Sequence, residues 1–353
     1  MIYFLTASKD ASIYLQQPNQ NTGLDEILEV SKTYYGNLKD VSHSLIKFDT
    51  TYLSSSLYNG DVTMSSAELI LKECEANEIP LSYTLYAYPV SQSWEMGIGT
   101  RFDEITTDGV TWNSLSTSTS WLRSDTLSPE SSGSYNGKGG TWFTASVASQ
   151  TYEYQSCDVE MDITDMMNMW VNGDIPNDGL ILKHDSVLEN DTNDYGQLKF
   201  FSKETNTIYQ PKIRIGWDDS VFTTGSLPEL TADDIYVTFK RLKTKYKVGS
   251  SPEIKVFGRE KYPLKHYGNQ FAYNDVTYLP ATTYYQIKDV ITEEVIIPFS
   301  DYTKVSCDGN GNFFKLNLAN WETNREYYIE IKVERNGVIE YFSDKDLTFT
   351  IEK

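Results

Sequence analysis

The feature that most constrains this chain is a succession of short apolar or alternating segments, each closed by turn-forming residues. Ala11–Leu15 ends at Gln16-Gln17-Pro18-Asn19 and the turn Asn21-Thr22-Gly23, and Ile27–Val30 follows. Ser44–Asp49, Ser66–Lys72 and Tyr83–Tyr88 continue the series, the last stopping at Pro89. Segments this short read as strands. Their spacing is that of an all-β sandwich rather than of helices alternating with a parallel sheet. The abundance of Tyr (26 of 353 residues), Thr, Ser and Val points the same way, because such side chains fit a pleated, half-buried surface.

One stretch, Asp162–Asp185, departs from that pattern. Ile163, Met166, Met167 and Trp170 fall at i, i+3, i+4 and i+7, which is one apolar stripe on a short helix. Asp162 or Thr164 can cap its start, and Asn172-Gly173 tolerates the left-handed stop. Asn177-Asp178-Gly179 then turns the chain into Gly179–Leu182, an apolar run suited to a buried strand. The stripe is expected to pack into the core and to plug one open end of the sandwich.

A composition shift near Val221–Thr231 divides the chain into a domain at 1–220, a linker at 221–232 and a second β domain at 233–353. Tyr284–Lys288, Phe313–Leu318 and Tyr327–Val333 are its clearest strands, and Asn336-Gly337 has the residues of a two-residue hairpin turn. Charge separates the halves. Residues 233–353 hold 17 Lys and Arg against 18 Asp and Glu, leaving 13 against 32 in residues 1–232. A surface as acidic as the first repels phosphate backbones, so nucleic acid is not an expected partner.

The first domain resembles DNRLRE domains. Lys9–Tyr14, Asn21-Thr22-Gly23, Ser44–Asp49, Ser66–Leu71, Trp94-Glu95 and Asp108–Trp112 occur in the order seen in that family. Asp162–Thr164 with Met169-Trp170, Asn177–Leu180 and Pro211–Ile215 complete the series over roughly residues 3–219, although the six-letter string that names the family is absent. The resemblance implies a noncatalytic jelly-roll-type β-sandwich, carrying here one short helix, of a kind found in secreted surface proteins and phage virions. Residues 250–350 resemble an immunoglobulin-like module of tailed-phage structural proteins, on YYQIKD (284–289), EVIIPFSDYTK (294–304) and YYIEIKVERNG (327–337).

Candidate binding residues lie in two places. A polar Ser- and Thr-rich insertion, Ser114–Trp142, carries or adjoins Trp112, Trp121, Tyr135 and Trp142, whose rings could stack on a host-surface glycan. Arg241, Lys243, Lys245 and Lys247 alternate with Leu242, Thr244 and Tyr246, which on one strand puts four cations on one face for docking or for edge protection.

Catalysis is not expected. His43, His184 and His266 have no metalloprotease spacing, and neither GxSxG nor a phosphate loop occurs. Cys74, Cys157 and Cys307 form no zinc spacing, and Asp191–Gly196 departs from a calcium loop at Tyr195 and Ser202, so no metal or cofactor is expected. The start MIYFLTASKD reads as a first strand rather than a signal peptide, and no apolar stretch spans a membrane. The expectation is a structural protein of a tailed-phage virion, in the tail, neck or baseplate, assembled in the host cytoplasm. It would contact other virion proteins in a symmetric assembly of several copies. The alternative is a carbohydrate-binding adhesin or receptor-binding protein using the Ser114–Trp142 loop.

Overall fold

The computed structural model describes residues 1–53, 64–123, 126–128, 131–154, 158–263 and 275–353, so Cys157 and His266 lie outside the described residues. The architecture is an all-β sandwich, as the strand spacing predicts, and the chain forms two compact units. Leu5–Ile215 make one, and Gly216–Lys353 together with Met1–Phe4 make the other.

In the Leu5–Ile215 unit the early strands are β1 (Ile2–Tyr14), β2 (Ile27–Tyr35), β3 (Leu38–Phe48), β4 (Ser66–Leu71), β5 (Glu73–Asn77) and β6 (Ser82–Pro89). After them come β7 (Ser131–Tyr135), β8 (Lys138–Phe143), β9 (Ala148–Glu153), β10 (Val159–Asp162), β11 (Leu180–Lys183), β12 (Gly196–Phe201) and β13 (Lys212–Gly216). The main hydrogen-bonded order is β10-β4-β13-β1-β3-β11-β6-β9. Strands β2, β12 and β5 branch from β3, and β7-β8 form a separate hairpin. The chain after Gly179 enters β11, which is buried along its whole length between β3 and β6. Gly179 is at φ +87°, and a Cβ there would stand 2.3 Å from the Ile46 carbonyl oxygen, so only glycine makes this turn.

A second short helix joins the expected one, and residues 51–53 and Asp301–Thr303 are helical as well. Helix α1 (Thr164–Asn172) buries Met166, Met167 and Trp170 and ends at Gly173 in the left-handed region, as its periodicity requires. Ile163 occupies the cap position, while Asp162 accepts from the Thr164 N–H at 2.9 Å one residue away. Helix α2 (Ser186–Asn190) escaped the sequence reading because its five residues carry no apolar stripe; its inward residue is a glutamate, Glu189. No helix among the described residues is long and apolar enough to cross a membrane.

The other unit is built of β14 (Ile235–Lys240), β15 (Lys245–Lys247), β16 (Glu253–Glu260), β17 (Thr283–Asp289), β18 (Val295–Ile297), β19 (Ser306–Asp308), β20 (Gly311–Lys315), β21 (Glu326–Arg335) and β22 (Val338–Glu352). Its two sheets are ordered β14-β16-β20-β19 and β15-β22-β21-β17-β18. Val237, Ile254, Val256 and Phe314 of the first share one core with Tyr285, Ile287, Ile329, Ile331 and Phe349 of the second. The rings of Tyr285 and Phe314 stack across it at 4.0 Å. Asn336 (φ +49°) and Gly337 (φ +77°) form the tight turn between β21 and β22, with Arg335 opposite Val338.

Residues 221–232 are not a free linker. Thr223 N–H donates to the Cys307 carbonyl at 2.9 Å, Cys307 N–H to the Val221 carbonyl at 2.8 Å, and Leu230 is buried and donates to Tyr278. The Pro, Gly and Ser content that suggests a linker is here the content of an ordered edge segment. Ile2 and Phe4 also belong to this core, Phe4 packing edge-on against Trp321 at 5.8 Å.

Trp170 is 5% exposed. Trp170→Ala is expected to cost about 3–5 kcal/mol, since a large buried aromatic leaves a cavity that its neighbours fill only in part. Denaturant unfolding of the two proteins measures it, and a difference below about 1 kcal/mol would place the stripe at the surface.

Candidate functional site

The three tryptophans expected to stack on a glycan are core residues. Trp112, Trp121 and Trp142 are 1%, 2% and 4% exposed and share a cluster with Ile13, Leu45 and Ile181. Trp121 donates its indole N–H to the Thr111 carbonyl at 3.1 Å, and the His43 ring lies 4.9 Å from Trp112. No ring face is left for a sugar, so the Ser- and Thr-rich segment uses its aromatics as anchors. Tyr135 lies on β7, and its side chain is outside the described residues.

Beneath these rings is a buried ionic cluster that sequence spacing could not reveal. Glu189 Oε1 receives both His43 Nε2 at 2.8 Å and Lys183 Nζ at 2.9 Å, and all three side chains are 0% exposed. His43 Nδ1 faces the Gly139 carbonyl oxygen at 2.8 Å, so both ring nitrogens stand opposite oxygen atoms. Lys183 also donates to the His184 carbonyl at 2.6 Å and lies 4.9 Å over the Trp142 ring. Burial pushes the Glu189 carboxyl up, but His43 and Lys183 outweigh it and hold the group at about 2. Burial draws the Lys183 ammonium down, partly offset by Glu189. Fully buried, these residues join β3, β11, α2 and the start of β8.

Two measurements follow. Glu189→Ala leaves the Lys183 ammonium buried without its carboxylate and is expected to destabilise the protein by roughly 3–5 kcal/mol; a loss under about 1 kcal/mol would mean the cluster is solvated. His184, 1% exposed and with neither ring nitrogen hydrogen-bonded among the described residues, is lowered by burial from 6.5 to about 4. The unfolded chain therefore binds a proton that the folded one refuses. The stability is full above about pH 6.5 and is lost as pH falls toward 4. Between pH 7.5 and 5 the wild type should lose about 2 kcal/mol more than His184→Gln. The buried Asp10 carboxyl, raised by burial to about 7, acts in the opposite direction and cancels in that difference. Parallel pH profiles would refute the assignment.

The expected basic strand is divided. Strand β14 ends at Lys240, Arg241 turns the chain at φ +62°, and only Lys245 and Lys247 share a strand, with Lys245 paired to Glu352 at 2.5 Å. Alternation alone could not foresee the turn at Arg241. The cationic face lies instead on the outer side of β14, β16 and β20, where residues far apart in sequence come into register. Tyr236 stands opposite Arg259, Thr238 opposite Phe257, and Lys240 opposite Lys255, which in turn faces Phe313. Arg259 lies 4.8 Å over the Tyr236 ring and Lys240 5.9 Å over that of Phe257. A groove of about 360 Å³ opens on this face, floored by Phe257, Val276 and Phe313, with Lys240, Arg241 and Lys255 around it. Two carboxylates also line it, Glu253 beside Lys255 at 3.7 Å and Asp308 bonded to the Asn310 N–H. An apolar floor with a mostly cationic margin suits an apolar, acid-flanked protein surface.

No protein-family model matches this chain, and no curated protein does. Among solved structures it is similar to two of β-glucuronidase from Parabacteroides merdae, at 8% and 9% identity with TM-scores of 0.18 and 0.17. It is also similar to apo β-glucuronidase 3 of Bacteroides uniformis, at 9% identity and a TM-score of 0.17. The likeness covers 82% of this chain and 28–29% of those enzymes, so this chain spans under a third of their length. Likeness this slight bears on neither fold nor activity.

Proposed function

We propose that this protein is a noncatalytic structural component of a tailed-phage virion, in the tail, neck or baseplate, present in several copies and acting through protein–protein contacts. The observation that carries the reading is the outer face of β14, β16 and β20. It sets Lys240, Lys255, Arg259 and Lys315 among Tyr236, Phe257 and Phe313 in registered rows. Aromatic and arginine side chains on a rigid sheet are what a protein interface recruits. The half of the chain that holds this face is nearly neutral while residues 1–232 carry the acidity, so this face docks and residues 1–220 project outward. The resemblances to DNRLRE domains and to an immunoglobulin-like phage module supply the virion. Three of the four residues offered as glycan contacts, Trp112, Trp121 and Trp142, pack in the core, which favours the structural reading.

The test is incorporation. Phage carrying Lys240→Glu with Lys255→Glu should show at least about a tenfold loss of this protein from purified virions, measured by quantitative mass spectrometry, with the soluble protein folding normally. Absence of the wild-type protein from virions would refute the role, and undiminished incorporation of the variant would refute the face.

A further inference from the structure

The first unit carries a feature that neither its core nor its pairing requires. Ile98, Phe102 and Ile105 are 67%, 89% and 70% exposed on one loop, with Leu24 beside them at 41%. Leu24 N–H donates to the Gly99 carbonyl at 2.9 Å, which joins the two segments. Exposed apolar residues scattered singly need no explanation, but a group on one loop marks an interaction site.

This loop is held rather than loose. The buried Asn21 side chain accepts from the N–H groups of Gly99 at 2.8 Å and Gly23 at 3.2 Å, and donates to the carbonyls of Met96 and Val110, both at 2.8 Å. A Cβ on Gly99 would stand 2.4 Å from the Asn21 carbonyl oxygen, so the close approach needs glycine. Arg101 bonds the Glu29 carboxylate, lies 4.2 Å over the Tyr14 ring, and gives its backbone N–H to Asp25 at 3.0 Å. The apolar side chains thus project from a fixed base, which lowers the entropy lost on binding. Asp103 and Glu104 between them, and Glu26 nearby, are exposed carboxylates.

An apolar knob edged by carboxylates is the complement of the groove on β14, β16 and β20, whose floor is apolar and whose margin sets Lys240, Arg241 and Lys255 against only Glu253 and Asp308. We infer that the occupant of that groove is the 98–105 loop of a second copy of this chain, inserting Phe102 between the cations. The inference rests on the docking role proposed above for this face and names its partner. Charge decides for this pairing over a symmetric one. Residues 1–232 hold 13 cationic against 32 acidic side chains, so apposing two first units sets like charge against like. A knob-to-groove contact brings the acidic loop to the nearly neutral half instead. A phosphate backbone would satisfy the cations but leave the apolar floor unfilled. Two different surfaces meet in each contact, so the association is head-to-tail and adds copies into a ring or filament.

Sedimentation of the full chain from micromolar to millimolar concentration tests it. The wild type should grow in mass beyond a dimer. A knob variant, Phe102→Ser with Ile105→Ser, and a groove variant, Lys240→Glu with Arg241→Glu, should each associate at least about tenfold more weakly. All four side chains are exposed, so their melting curves should match the wild type. Mixed together, the two variants should form one-to-one dimers and stop there, because only the groove variant keeps a knob and only the knob variant keeps a groove. A wild type that stays monomeric, assembly that survives either variant, or a groove that binds single-stranded DNA instead would each overturn the inference. A monomeric wild type whose Lys240→Glu, Lys255→Glu form is lost from virions would sink this partner and leave the docking role standing.

Discussion

Glu189 is the residue on which the first unit most depends. One carboxylate oxygen takes His43 from β3 and Lys183 from β11, and His43 reaches on to the carbonyl of Gly139 at the start of β8. Removing the Glu189 and Lys183 charges from water costs several kcal/mol per ion, and only close pairing returns it. The arrangement therefore has a single satisfactory geometry, in which β3, β11, α2 and the β7–β8 hairpin meet. An apolar residue at 189 could supply comparable burial, but it would not dictate which strand Lys183 and His43 must face. The tryptophans lie over the same cluster, Lys183 beneath Trp142 and His43 beside Trp112, so the polar insertion is tied to it through its aromatics.

That tie changes what the insertion is for. A long Ser- and Thr-rich segment would ordinarily be surface loop, and its rings would be free. Here Trp112, Trp121 and Trp142 spend their faces on the core, and a group of exposed apolar side chains stands elsewhere, on the 98–105 loop that Asn21 holds from below. The buried amide satisfies four backbone groups of otherwise irregular chain, which is what allows such a loop to lie against a core at all. The loop can then present Phe102 to a partner without first having to order itself.

The second unit divides its work by face. Inward residues of β16 (Ile254, Val256 and Gly258) are buried, while Lys255, Phe257 and Arg259 alternate outward. Period-two alternation thus builds a core and a docking face from the same strand. Neighbouring strands multiply the effect, because register sets Lys240, Lys255 and Phe313 side by side.

What the sequence determined by itself is local in origin. The strand spacing, the Ile163–Trp170 stripe with its Gly173 stop, the run Leu180–Leu182 and the Asn336-Gly337 turn all follow from periodicity and from which residues tolerate positive φ. Tertiary structure decided whatever depends on residues distant along the chain. Helix α2 carries no stripe because its inward group is a charge, and that charge is tolerable only beside His43 and Lys183. The run Arg241–Lys247 alternates as a strand would, yet Arg241 turns the chain and leaves Lys245 paired with Glu352. Segment 221–232 has the composition of a linker, but its backbone groups find partners on Cys307 and Tyr278. Burial, pairing and register are properties of the folded chain, and no window of sequence contains them.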